Sequence, residues 1–422
     1  MTPTVLQKLA SANEHAWLTL GNVAELMFEW DKATTAYKSA LRHNPYSLQA
    51  LRQIANVCRA REEFEQAIDY FQRVLSLQNR DGDTWGALGH CYLMTNDLQQ
   101  AYHAYQQALY HLPDVKDPKL WYGIGILYDR YGSLEHAEEA FVAAIKMDPN
   151  FEKINEVHFR LGIIYKQQEK YDQSLQCFEY ILEHPPKPLK KVDILFQQGH
   201  VYEQRKEFAK AKELYERVLE INADDAKVLQ QLGWLYHQPN TDFADPKKAV
   251  DYFMRSLHAD DKDPHTWYFL GRSYMVEKDH AKAYESYQKA VYLDANNPIF
   301  WCSIGVLYFH TNQFRDALDA YSRALRLSPH ISEIWYNLGI LYESCNNQTQ
   351  DAVDAYQKAI DLDPKNAQLR DHIHLLQSSQ SPITTPLPIE VDNPYQYPTQ
   401  ELADASEQKP SPPMLKPTNK KP

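Results

Sequence analysis

Large apolar residues recur along this chain with a period of 34, and the stretch from Trp85 to Pro113 carries the unit whole. Trp85, Leu88 and Tyr92 stand at i, i+3 and i+7, the spacing of one apolar helix face. Tyr105 and Ala108 mark the face of a second helix, and Gly89, Ala101 and Ala108 are small where the two backbones must approach. Asn96 and Asp97 suit a turn and a helix cap between them, and Pro113 prevents the second helix from continuing. Counted from Gly82, the eight marker residues fall at positions 4, 7, 8, 11, 20, 24, 27 and 32. One such pair buries too few side chains to offset the ordering of its own backbone, so neighbours on both sides are required.

The neighbours are present. Ten units are counted, from Trp17, Leu20, Gly21 and Tyr37 in the first to Trp335, Leu338, Gly339 and Tyr356 in the last. The seventh takes an insertion, QPNTDFADP, between its helices, and the fifth ends in PPKP, which predicts a longer turn. The pattern is that of the tetratricopeptide repeat (TPR), so the expected fold is all-α, a TPR superhelical solenoid with terminal capping helices. Thr2 and Pro3 are read as the start of a short capping helix over 1–13, and AQLRDHIHLLQ as a second cap over 367–377. Residues 378–422 are rich in Pro, Ser, Thr and Gln with few large aliphatics and are expected to be a disordered tail. Ser381-Pro382, Thr385-Pro386 and Ser411-Pro412 could accept phosphate there, and Lys416, Lys420 and Lys421 form a basic end.

Charge and composition remove several function classes. The net charge is −12 and the isoelectric point about 5.8, without the basic stripe that phosphate contacts need, so no direct nucleic-acid binding is expected. Cys58, Cys91, Cys177, Cys302 and Cys345 form no CxxC pair and read as buried apolar groups in a reducing compartment. No signal peptide or long apolar run is seen, so a soluble, intracellular chain with no membrane partner is expected. Among 17 histidines there is no HExxH, and no phosphate loop or nucleophile elbow appears. The expectation is therefore no enzyme, no catalytic or metal site and no cofactor.

What remains is recognition. Outward positions 5 and 9 of the first helices are read as lining a groove: Leu18, Asn22, Arg52 and Asn56 at the start, then Tyr122, Ile126, Phe159, Ile163, Phe196, Trp234, Tyr268 and Tyr336. The early positions are mainly polar and the later ones aromatic or aliphatic, which two ligand zones would explain; packing of the aromatics as ordinary core is the competing reading. A clamp for a chaperone's C-terminal carboxylate would want Lys where Leu18 stands.

Several stretches carry a narrower likeness: NEHAWLTLGNVAELMFEWDKATTAYKSALRHNPYSLQALRQIANVCRAREEFEQAIDYFQRVLSLQ, LWYGIGILYDRYGSLEHAEEAF, RLGIIYKQQEKYDQSLQCFEYIL and KVLQQLGWLYH. They resemble the TPR subunit of the fungal general transcriptional corepressor, from about Asn13 to Asn366. That resemblance implies a nuclear adaptor that bridges sequence-specific DNA-binding repressors to a WD-repeat corepressor and leads to recruitment of histone deacetylases. It implies that repeats 1–3, residues 14–115 behind the 1–13 helix, hold the N-terminal helical segment of the WD-repeat partner, and that repeats 4–10, residues 116–366, hold repressors. Family members usually continue into long low-complexity tails, so a chain ending at Pro422 is either a short member or a fragment. The alternatives are the substrate-recognition arm of a larger chromatin enzyme, and a cytoplasmic TPR cochaperone or scaffold.

Overall fold

The computed structural model describes residues 5–112, 116–345, 348–364, 367–377, 386–391 and 413–415. Among them the only regular element is the α-helix. They form two compact units, 1–187 with 409–422, and 188–408. The first holds α1 (Val5–Leu26), α2 (Trp30–His43), α3 (Leu48–Ala60), α4 (Phe64–Leu77), α5 (Gly82–Met94), α6 (Leu98–His111), α7 (Pro118–Arg130), α8 (Leu134–Met147), α9 (Ile154–Gln167) and α10 (Tyr171–Ile181). The second holds α11 (Lys191–Gln204), α12 (Phe208–Ile221), α13 (Ala226–His237), α14 (Pro246–Ala259), α15 (Pro264–Val276), α16 (His280–Leu293), α17 (Pro298–His310), α18 (Phe314–Leu327), α19 (Ser332–Ser344), α20 (Thr349–Leu362) and α21 (Ala367–Gln377).

Helix pairs follow the 34-residue register. Between the helices of a pair, position 15 takes the left-handed backbone conformation: Glu62, Asn96, Glu169, Lys206, Lys278 and Asn312 all have φ near +60°. Only Gly132 holds this turn without a Cβ to strain it. At two of these turns position 16 caps the second helix: Asp97 accepts the Gln100 N–H at 3.1 Å and Asp279 the Lys282 N–H at 3.2 Å. At position 4, the indoles of Trp85, Trp267, Trp301 and Trp335 each donate to a carbonyl six residues upstream at 2.9 Å, tying the repeat to the turn before it. Where the inserted segment 238–245 separates α13 from α14, Phe243 packs edge-on to Tyr236 and Lys212 lies over both rings.

Two expectations need correction. No separate capping helix covers 1–13: α1 runs unbroken from Val5 to Leu26, because no proline, glycine or turn pair interrupts LASANEHAW. Thr2 and Pro3 lie outside the described residues. At the other end α21 does cap the array, burying Leu369 and Ile373 against the Tyr356 cluster. Most of the tail lies outside the described residues, including the Ser-Pro pairs apart from Pro386, and Lys416, Lys420 and Lys421. Residues 386–391 and 413–415 depart from the expectation of disorder, since each packs on a helical unit. Cys58, Cys91, Cys177 and Cys302 are buried and Cys345 half-buried; burial pushes the Cys91 thiol up to about 12 and that of Cys177 to about 11.

In nine of the ten pairs a position-8 glycine lies directly against an aromatic ring of the second helix. A Cβ built on Gly125 would meet the Phe141 ring at 2.5 Å, and on Gly89, Gly162, Gly199, Gly233, Gly271, Gly305 and Gly339 it would meet their own rings at 2.4 to 2.9 Å. Gly125→Ala is expected to cost about 1 to 3 kcal/mol through overpacking, read as lost hydrogen-exchange protection in α7 and α8 and a lower melting temperature. Wild-type protection in both helices would contradict the register.

Candidate protein-binding sites

The groove positions inferred from sequence do not behave alike. Leu18, Ile126 and Tyr268 are buried in core clusters, so the assignment of every position 5 and 9 to an open groove is corrected for these three. The reason lies in repeat geometry: the ring at position 5 leans on the ring at position 24 of its own pair. Tyr122 meets Phe141, Phe159 meets Phe178, Phe196 meets Tyr215, Tyr268 meets Tyr287 and Tyr336 meets Tyr356, with centroids 5.8 to 6.2 Å apart. All but Tyr268 stay half-buried, as do Asn22, Asn56, Ile163 and Trp234. Arg52 is exposed and paired with Asp81.

Two of these residues share a cleft in the first unit. Asn56 and Tyr122 line a recess of about 850 Å³ with Arg59, Gly86, His90, Lys119 and Glu152. Burial, and secondarily Arg59, depresses the His90 imidazole below its ordinary range. Tyr105 forms part of the wall, and its buried hydroxyl has no hydrogen-bond partner among the described residues. The cleft offers polar groups over an aromatic floor, a surface suited to a peptide.

At the beginning of the same unit lies an apolar face that includes Trp17 and Leu20, two marker residues of the first repeat. Trp17 is 36% exposed and Leu20 53%, with Val23 and Met27 also exposed. They line a shallow recess of about 590 Å³ between α1 and α2. In later repeats this face is covered by the preceding helix pair; here no described residue takes that place. The continuous α1 explains why, since the predicted cap would have folded back over it.

The most completely built site is in the second unit, and its ligand is the chain itself. Glu390 accepts hydrogen bonds from the Tyr287 hydroxyl (2.8 Å, Oε1) and the Ser303 hydroxyl (2.9 Å, Oε2), and Arg272 Nε lies 3.3 Å from Oε2. Asn337 Nδ2 donates to the Ile389 carbonyl at 2.7 Å, while the Ile389 N–H donates to Asn337 Oδ1 at 2.8 Å. A residue that offers both backbone groups to one amide is extended. Arg272 Nη1 also donates to the Val391 carbonyl at 3.0 Å, and Val391 is buried in the core cluster. The guanidinium is braced over Trp234 and Tyr268. Trp234 and Tyr268, both named from sequence, therefore act behind the contact residue, while Ser303 and Asn337, at position 6, were missed. A polar residue at position 6 is a signal only when its neighbours are known, because Phe269 holds the same position one repeat earlier.

Nearby, burial and then Arg272 pull the His237 imidazole down to about 4, and its Nδ1 lies 3.2 Å from Ser273 Oγ. Folded His237 thus resists the proton that the unfolded chain accepts near 6.5. The unfolded state binds more protons between these values, so this contribution is fully present above about 6.5 and is lost as pH falls towards 4. Acidification from pH 7 to 4 is expected to weaken the second unit by up to about 3 kcal/mol through this residue. His237→Gln should flatten that part of the pH profile of denaturant unfolding; an unchanged slope would refute the role.

Among the described residues no cluster of His, Cys, Asp and Glu could hold a metal ion, and no helix is long and apolar enough to cross a membrane. Family models of the tetratricopeptide repeat match residues 18–84, 59–122, 118–151, 156–183, 192–225, 264–297 and 303–367, spanning most of the array. The chain is 64% identical over 278 residues to the general transcriptional corepressor ssn6 of Schizosaccharomyces pombe, covering 66% of this chain and 25% of that protein. It is 64% identical over 276 residues to the general transcriptional corepressor trfA of Dictyostelium discoideum, covering 65% and 20%. With the general transcriptional corepressor CYC8 of Saccharomyces cerevisiae it shares 50% over 276 residues, covering 65% and 29%. The matched stretch thus spans less than a third of these relatives' own length.

Proposed function

The chain belongs to the tetratricopeptide-repeat family, and from that premise we propose that it is the protein-binding array of a general transcriptional corepressor acting in the nucleus. The observation that carries this reading is the 64% identity to two proteins of that name, far above what a shared helical period requires. In this reading the array has no catalytic role. It bridges sequence-specific DNA-binding repressors to a WD-repeat corepressor, and histone deacetylases are recruited through that assembly.

The open apolar face of α1 supports placing the WD-repeat partner in residues 1–115. Trp17, Leu20, Val23 and Met27 recur at helical spacing and are exposed, so an amphipathic helix laid on them would occupy the place that a preceding repeat fills elsewhere. Asn22, Arg52 and Asn56 then serve as polar contacts, whereas Leu18 holds the helix pair together from within. Repressors fall to residues 116–366, where half-buried Tyr122, Phe159, Ile163, Phe196 and Tyr336 offer apolar surface. The cochaperone and enzyme-arm readings lack a comparable observation.

The test is calorimetric titration of the chain with the N-terminal helical segment of the same organism's WD-repeat corepressor. Saturable binding is expected, falling more than about tenfold in Trp17→Glu with Leu20→Glu, with little loss of stability because both residues are exposed. Equal binding by the double variant would overturn the placement, and no binding by the wild-type chain would overturn the adaptor reading.

A further inference from the structure

A regularity in the tyrosine hydroxyls shows what Glu390 is doing. In the first, sixth and tenth repeats the position-24 tyrosine donates to a glutamate at position 12 of its own pair: Tyr37 to Glu25 at 2.7 Å, Tyr215 to Glu203 at 2.9 Å and Tyr356 to Glu343 at 2.8 Å. In the third, eighth and ninth repeats position 12 is Leu93, Met275 or Phe309, and no carboxylate is available within the pair. Tyr105 and Tyr321 accordingly make no hydrogen bond among the described residues. Tyr287, the remaining case, is satisfied by Glu390. The tail inserts the carboxylate that the eighth repeat lacks.

We propose that the second unit is a receptor for an extended peptide in which Glu is followed by an aliphatic residue, and that Ile389-Glu390-Val391 is its built-in ligand, which an incoming segment of the same form must displace. Asn337 reads the peptide backbone through a two-way amide pairing that any extended residue satisfies. Arg272, Tyr287 and Ser303 read the carboxylate, and burial of Val391 selects an aliphatic residue after it. The occupant gives the buried Tyr287 hydroxyl its carboxylate acceptor, and a charge-assisted bond of this kind favours a segment that carries one. Because only residues 378–388 separate α21 from Ile389, the cis segment acts at an effective concentration on the order of millimolar. A partner must therefore outcompete it. The inference rests on the reading of the second unit as a peptide-binding surface and not on the corepressor role.

A fluorescent peptide with the sequence of residues 385–393, TPLPIEVDN, tests this against the full chain. The Glu390→Ala, Val391→Ala chain is expected to bind it saturably, the wild-type chain at least about tenfold more weakly. Adding Arg272→Ala to that chain, or changing the peptide's Glu to Ala, should each abolish binding. Equal affinity of the wild-type and tail-variant chains, or no binding by a tail variant that melts like wild type, would overturn the proposal. Should the variant not fold, hydrogen exchange on the wild-type chain decides: excess peptide is expected to expose the amides of Ile389 and Val391, and unchanged protection overturns it. Neither result bears on α1, where the adaptor reading is tested separately.

Discussion

The contact between a position-8 glycine and a position-24 ring sets the geometry of nearly every helix pair. The ring lies flat against bare backbone, at distances a Cβ could not tolerate, and this closeness lets the pair bury its seam with few residues. The second repeat is the exception that locates the constraint: Ala55 stands at position 8, and Phe71 replaces tyrosine opposite it, both still buried. Elsewhere aromatics fill the space, and the position-5 rings must lean on them.

That packing has an electrostatic consequence. A phenylalanine at position 24 ends in apolar surface, but a tyrosine carries its hydroxyl through the seam to the face of the first helices. Burial raises the pKa of Tyr105, Tyr215, Tyr287 and Tyr321, so each remains a neutral donor. A donor delivered into a dry seam needs an acceptor, and the position-12 glutamate supplies it in three repeats. Recognition and folding therefore use the same atom: where the repeat provides the carboxylate the pair is closed, and where it does not the hydroxyl is left for something else.

Much of this is legible in residues alone. The period, the ten pairs, the turn at Asn96 and Asp97, the insertion before Pro246 and the C-terminal helix all follow from spacing, because each is a local choice repeated many times. The N-terminal boundary was misread for a related reason. A good start signal at Thr2 and Pro3 says where a helix begins, but only a breaker says where it stops, and none stands between Leu9 and Trp17. The groove assignments failed differently. Position 5 faces outward on an isolated helix, yet the depth of Tyr268 depends on Tyr287, Phe300 and Arg272, which come together only in the stacked structure.

Residues 386–391 of the tail are the instructive exception. The tail's composition is that of a segment unable to bury a core of its own, which is correct for an isolated chain and says nothing about binding to a surface already built. Ile389-Glu390-Val391 needs no helix and few contacts of its own, because Asn337 satisfies its backbone and three ordered side chains hold its carboxylate. The ordering cost falls on only a few residues and is offset by groups the array leaves unmatched. Disorder by composition and docking by sequence are thus compatible. Of the three repeats in which Tyr at position 24 lacks a Glu at position 12, the eighth is the one that takes its carboxylate from the tail.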